Sequence, residues 1–203
     1  MSPRLRVWNS LRVAETITTF LLGRPSSLPA SRRDISSHFD SRTLQATQFC
    51  SVAFNSIVDA CALLDATVQK LSRGRKMDVS TAEGLLEQLR RWSQSLPPQL
   101  RQFAFTDAAS LTSADRQRLI ANVHVSCVYY FAVMVLTRQF LISHLMGRLR
   151  RKGPQKPGAS ASEEAEKVSS LAEVCVSSAS YIADICRKMQ IGGFSFGNMC
   201  YVK

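Results

Sequence analysis

The chain has 203 residues, 45% of them apolar and 20% charged, and a formal net charge of +11. That suffices for one domain with a core, and it excludes a wholly disordered or fibrous protein. The positive excess admits an acidic partner, whether nucleic acid, a membrane surface or a protein, and it is unevenly spread: residues 1–44 carry +4 and residues 111–152 carry +6, against +1 over 45–110 and zero over 153–203.

Apolar periodicity predicts five helices and no strand, an all-α fold. The first helix runs from about Arg4 to Leu22 and is closed by Gly23 and Pro25. A Ser/Pro-rich loop follows to about Ser41. The second helix spans about Thr43 to Leu71, with Ala46, Cys50, Ala53, Ile57, Ala60, Leu64, Val68 and Leu71 stepping by four or three along one face. A basic turn, Ser72 to Lys76, ends it. The third helix opens at Ser80, with Glu83 at the capping-box spacing, and Leu85, Leu89, Trp92 and Leu96 form its stripe. Pro97 and Pro98 stop it, since neither can donate an N–H to the helical ladder.

The fourth helix begins near Thr112 or Ser113 and runs to about Met146, ending at Gly147. At ~1.5 Å per residue it is about 50 Å long. Between Val125 and Leu136 it is apolar nearly all round, which suits the central, most buried helix. A basic, then Pro/Gly/Ser-rich linker covers 148–162. The fifth helix starts near Glu163 in an acidic first turn that suits the helix dipole. Val168, Leu171, Cys175, Ser178, Ile182, Ile185 and Met189 make its face, and Gly192-Gly193 ends it. The expectation is an irregular bundle of about five helices around a long apolar helix, one domain over 1–203.

Leu119 to Leu136 imitates a membrane span in length, but Asn122, His124 and Ser126 interrupt it. A core helix is the preferred reading and no membrane is expected; an integral membrane fragment is the weaker alternative.

Chemistry-bearing constellations are missing from the pattern. The six cysteines are Cys50, Cys61, Cys127, Cys175, Cys186 and Cys200, and no two have compact zinc-ligand spacing. All but Cys200 lie among apolar helical residues and read as small buried hydrophobes in a reducing compartment. His38 lies in a Ser-rich loop, and His124 and His144 are twenty residues apart on one helix, so they cannot share a ligand. There is no nucleophile elbow, phosphate-binding glycine loop or HExxH pair. Glu15 is a carboxylate on an apolar helix, where pairing with an arginine is the commoner role. No enzyme activity is expected, and no cofactor-binding residue can be named.

The order of the motifs has a counterpart. The opening stretch resembles the middle homology region of the fungal zinc-cluster transcription factors, a regulatory domain also found in xylanolytic activators. Arg4, Arg6, Trp8, Ser10, Leu11, Glu15, Leu22, Gly23, Arg24 and Pro25 fall in the family's places. Asn9 replaces a frequent second tryptophan, and Glu15-Thr16 replaces the usual Asp-Arg. Leu85 to Arg101, with Pro97 and Pro98, is similar to the helix leading into the family's Ser-Leu-Pro-Pro. Val123 to Leu141 is similar to its long apolar helix, with Thr137-Arg138-Gln139-Phe140 at the place of a His-Arg-Pro-Phe type turn.

The resemblance implies the regulatory region of a nuclear transcription factor, with zinc expected only in a separate DNA-binding module that this chain lacks. Its implied partners are the remainder of the factor or another protein, and a small-molecule effector. It also implies that the chain is part of a larger helical domain, whose further helices cover some of its apolar surface. No sequence-specific DNA binding is expected from this chain alone. A helical small-molecule sensor or protein-interaction scaffold without a DNA role is the alternative. Arg148, Arg150, Arg151 and Lys152 read as a solvated loop or as a nuclear-import signal.

Overall fold

The computed structural model describes residues 3–22, 46–71, 77–101, 111–150 and 159–194. These form six helices with no strand among the described residues: α1 (Pro3–Leu22), α2 (Ala46–Leu71), α3 (Val79–Ser95), α4 (Pro98–Arg101), α5 (Ser113–Arg150) and α6 (Ala159–Ile191). The expected long helix is the axis of the bundle. α6 and α2 lie along α5, α3 and α4 pack against it, and α1 rests mainly on α2.

Three apolar clusters hold these helices to α5. Leu64 of α2, Leu85, Leu86 and Leu89 of α3, and Leu171 of α6 meet Ala132, Val133, Val135, Leu136 and Phe140 of α5. Nearer the start of α5, Val52 and Ala53 of α2 and Leu96 and Leu100 meet Ala121 and Val125. On another side of α5, Ile185 and Met189 of α6 meet Leu119 and Val123. α2 therefore runs parallel to α5, whereas α3 and α6 run antiparallel to it. Thr137, fully buried, keeps its hydroxyl satisfied by donating to the Val133 carbonyl at 2.8 Å.

The ends of the helices depart from the expectations in physically clear ways. α3 is capped by Asp78, not Ser80. The Asp78 carboxylate accepts the backbone N–H of Thr81 at 3.0 Å and the hydroxyls of Ser80 and Thr81. The Ser80 and Thr81 hydroxyl bonds and the Thr81 amide hold that carboxyl well below the usual carboxylate range. An ionised carboxylate at a helix N-terminus satisfies an orphan N–H group and also interacts favourably with the helix dipole.

Pro97 and Pro98 end α3, but the chain makes a sixth, four-residue helix from Pro98. Proline suits a first helical position because its missing N–H is not needed there. The Pro97 carbonyl accepts the Leu100 N–H at 2.9 Å, and this turn delivers Leu100 into the core, 1% exposed.

Gly147 does not end α5, which continues to Arg150; glycine is tolerated in a helix interior at a cost of about 1 kcal/mol. α6 begins at Ala159, four residues before the predicted start, so the linker expected over 148–162 is shorter at both ends. Gly193 does end α6. It sits at φ 70°, the Gly193 N–H donates to Gln190 and the Phe194 N–H to Met189, and Phe194 packs beside Met189. That is a Schellman closure.

Candidate functional site

The predicted motif residues lie on separate elements. Trp8 and Glu15 are half-buried on α1, but Leu11 is 51% exposed, as is Val7 at 71%. Over residues 7–19 of α1, the buried positions are polar: Asn9, Thr16 and Thr19. Gly23, Arg24 and Pro25 lie outside the described residues. Pro97 is half-buried and Pro98 exposed at the α3–α4 turn, and Arg138 is exposed on α5. Because α1 rests mainly on α2, the described motif residues do not converge on one site. Arg148 is exposed in the last turn of α5, and Arg150 is its final residue. Arg151 and Lys152 lie outside the described residues, as do the loop around His38 and Cys200.

Burial favours the neutral forms of His124 and Cys127 on α5. Burial lowers the His124 pKa, opposed by a hydrogen bond to the Ile120 carbonyl, and its Nε2 is buried without a partner. Burial pushes the Cys127 thiol up to about 11, with neighbouring Cys186 adding to the effect, so Cys127 is a poor nucleophile near neutral pH. Cys175 is buried, its thiol pointing at the Met134 carbonyl 3.6 Å away. Cys61 is buried too, so these two are the small buried hydrophobes expected, whereas Cys127 and Cys186 are only partly buried. No group of three or more metal-ligating side chains occurs among the described residues.

Sequence reasoning missed an aromatic row across three helices. Trp92 of α3 stacks on Tyr129 of α5 at 6.3 Å, Tyr129 meets Tyr130 edge-on at 5.1 Å, and Tyr130 meets Tyr181 of α6 at 4.2 Å. Burial raises both Tyr129 and Tyr130. The row is invisible in the sequence because Trp92 and Tyr181 are 89 residues apart. Leu63, Leu64, Leu85, Gln88, Leu89 and Leu136 line a narrow crevice between α2, α3 and α5 that leaves no room for even a water molecule. Ligand pockets usually hold about 300–1,000 Å³, so this crevice is not a preformed pocket of that kind.

The C-terminal turns of α5 are different in kind. Ile142, Leu145, Met146 and Leu149 are 60%, 50%, 45% and 69% exposed. Their spacing, i, i+3, i+4 and i+7, puts them on one stripe. The Met77 backbone pairs with the Gln139 side chain in both directions, at 3.4 and 3.1 Å. α3 starts there and runs back along α5, so it leaves these turns uncovered. By length and composition α5 could cross a membrane, although 56% of its most apolar stretch is buried inside the bundle.

No family model matches the chain. It is 22% identical over 149 residues to Filamentous growth regulator 27 of Candida albicans, an alignment covering 72% of this chain. The chain spans about a fifth of that curated relative, 19% of its length. No solved structure matches.

Proposed function

We propose that this chain is a regulatory region of a fungal zinc-cluster transcription factor, acting on DNA-templated transcription, whose zinc-cluster module lies outside it. The observation that carries the reading is the alignment of 72% of the chain with 19% of a much longer protein named as a growth regulator. The ordered motifs from Trp8 to Arg138 and the all-helical bundle around α5 support it. On this reading the chain works in the nucleus as a non-catalytic module, without its own zinc and without sequence-specific DNA recognition. Its partners are the remainder of the factor, other proteins and a small-molecule effector. The basic run from Arg148 to Lys152 serves as an import signal.

Sequencing the genomic DNA and transcript on both sides of the reading frame tests the proposal. The expected result is an upstream six-cysteine cluster in frame. Tethering the chain to an unrelated DNA-binding domain should also change the output of a reporter gene. Absence of the cluster together with an unchanged reporter would overturn the reading.

A further inference from the structure

We propose that Tyr130 of α5 and Tyr181 of α6 form an oxidative modification site, at which a one-electron oxidant joins the two rings by a carbon–carbon bond and staples the helices together. The site is independent of the regulatory reading, because it rests on ring geometry and packing alone.

The contacts of the aromatic row differ in geometry, and the difference selects this pair. Trp92 and Tyr129 are nearly parallel, at 16°, but their centroids are 6.3 Å apart. Tyr129 meets Tyr130 at 85°, so the edge of one ring faces the π-face of the other. Tyr130 and Tyr181 are 4.2 Å apart and inclined by 35°. Ordinary aromatic pairs sit about 4.5–7 Å apart, so these two faces are in unusually close contact. A tyrosyl radical carries its unpaired electron on the phenol oxygen and on the ring carbons ortho and para to it. Coupling between ortho carbons requires them to meet face to face, which the Tyr130–Tyr181 contact supplies and the edge-on contact does not. The Tyr130 hydroxyl also donates a hydrogen bond to Tyr181, which draws the phenol ends of both rings together.

Packing holds the pair in register. One turn further along α5, the Cys175 thiol of α6 points at the Met134 carbonyl 3.6 Å away. On the other side of the pair, Ile185 and Met189 of α6 meet Leu119 and Val123. Both tyrosines therefore sit between fixed contacts, and neither ring has to travel to reach the other. Tyr181 is 43% exposed, so the outer ring can meet an oxidant in solution, and half-buried Tyr130 lies against it.

The reaction balances as follows. Each tyrosine gives one electron to the oxidant and its hydroxyl proton to water. The two neutral radicals combine, forming one bond between a carbon ortho to each oxygen. Each of these carbons then passes its hydrogen to its own ring's oxygen, which restores both phenols. The net loss is two hydrogen atoms. Hydrogen peroxide acting through a haem peroxidase supplies both oxidising equivalents and leaves as two waters. Persulfate with light-excited ruthenium(II) tris-bipyridyl does the same and leaves as two sulfates. The product closes a covalent loop between residues 51 apart in sequence, which restricts the unfolded chain and so favours the folded bundle.

The test illuminates the full chain with ruthenium(II) tris-bipyridyl and persulfate, then reduces the thiols before mass spectrometry so that a disulfide cannot imitate the product. The expected product is a single chain lighter by two hydrogens, with dityrosine fluorescence and one cross-linked peptide pair holding Tyr130 and Tyr181. The folded chain should give about tenfold more of it than the same chain in urea, the advantage of held proximity. Tyr181→Phe should abolish the product and Tyr129→Phe should leave it. The cross-linked chain should unfold at a higher urea concentration than the untreated chain. No cross-link, an equal yield in urea, or coupling only between two chains overturns the proposal. So does a bond mapped to Tyr129 or Tyr201 in place of this pair, or an unchanged product from Tyr181→Phe.

Discussion

Leu136 and Leu145 lie on the same helix, and the structure assigns them opposite fates. Leu136 is 2% exposed and touches the cluster of Leu64, Leu85 and Leu89, whereas Leu145 is 50% exposed. Truncating Leu136 to alanine removes about three methylene equivalents of buried surface, or about 2.4 kcal/mol at about 0.8 kcal/mol each. A cavity contribution adds to this, because the neighbours collapse only in part. Leu136 also lines the narrow crevice between α2, α3 and α5, where neighbouring leucines can close in and keep the addition small. The expected loss for Leu136→Ala is about 3 kcal/mol, at the lower end of core leucine truncations. Leu145→Ala should cost about 1 kcal/mol or less, since half of its side chain is already in water and alanine is the better helix former. Urea unfolding followed by far-ultraviolet circular dichroism measures both, and similar m values would show that the midpoints report stability. Equal losses for the two variants, or a loss below about 1 kcal/mol for Leu136→Ala, would refute the assignment of inner and outer faces on α5.

Three further outcomes are expected. Gly84 is exposed within α3 and an added Cβ meets nothing within 4 Å, so Gly84→Ala should raise stability by about 0.5–1 kcal/mol. Gly193→Ala, at φ 70° in the closure of α6, should instead lower it by about 1–2 kcal/mol; thermal melts of the pair check both signs. Burial lowers the His124 pKa in the folded chain, so its contribution is complete above the unfolded value of about 6.5 and is lost as pH falls from there toward the depressed folded value. His124→Leu should remove that portion of the pH dependence, and an unchanged stability profile between about pH 5 and 7 would count against it. Metal analysis after dialysis should find less than one zinc per chain, because no two cysteines have compact ligand spacing.

The sequence determined the elements that repeat over many turns. The steps from Ala53 to Leu64, Leu85 to Leu96 and Leu171 to Met189 each gave a buried helix face, and the all-round apolar run in α5 marked the axis. Gly192-Gly193 was equally legible, because a left-handed closure needs glycine wherever it occurs. Shorter signals were ambiguous, since several local chemistries compete at a helix end. Asp78 outcompeted Ser80 for the cap of α3, and Pro98, which stops one helix, is also suited to start another. Tertiary structure alone decided which face of an apolar helix meets which neighbour. Periodicity cannot tell that Leu136 is enclosed and Leu145 is not, because both satisfy the same helical spacing. α3 turns back beside Gln139, and this, not composition, leaves Ile142 to Leu149 in water. The row from Trp92 to Tyr181 likewise exists only because α3 and α6 are brought to flank α5, a juxtaposition of distant segments that no local pattern encodes.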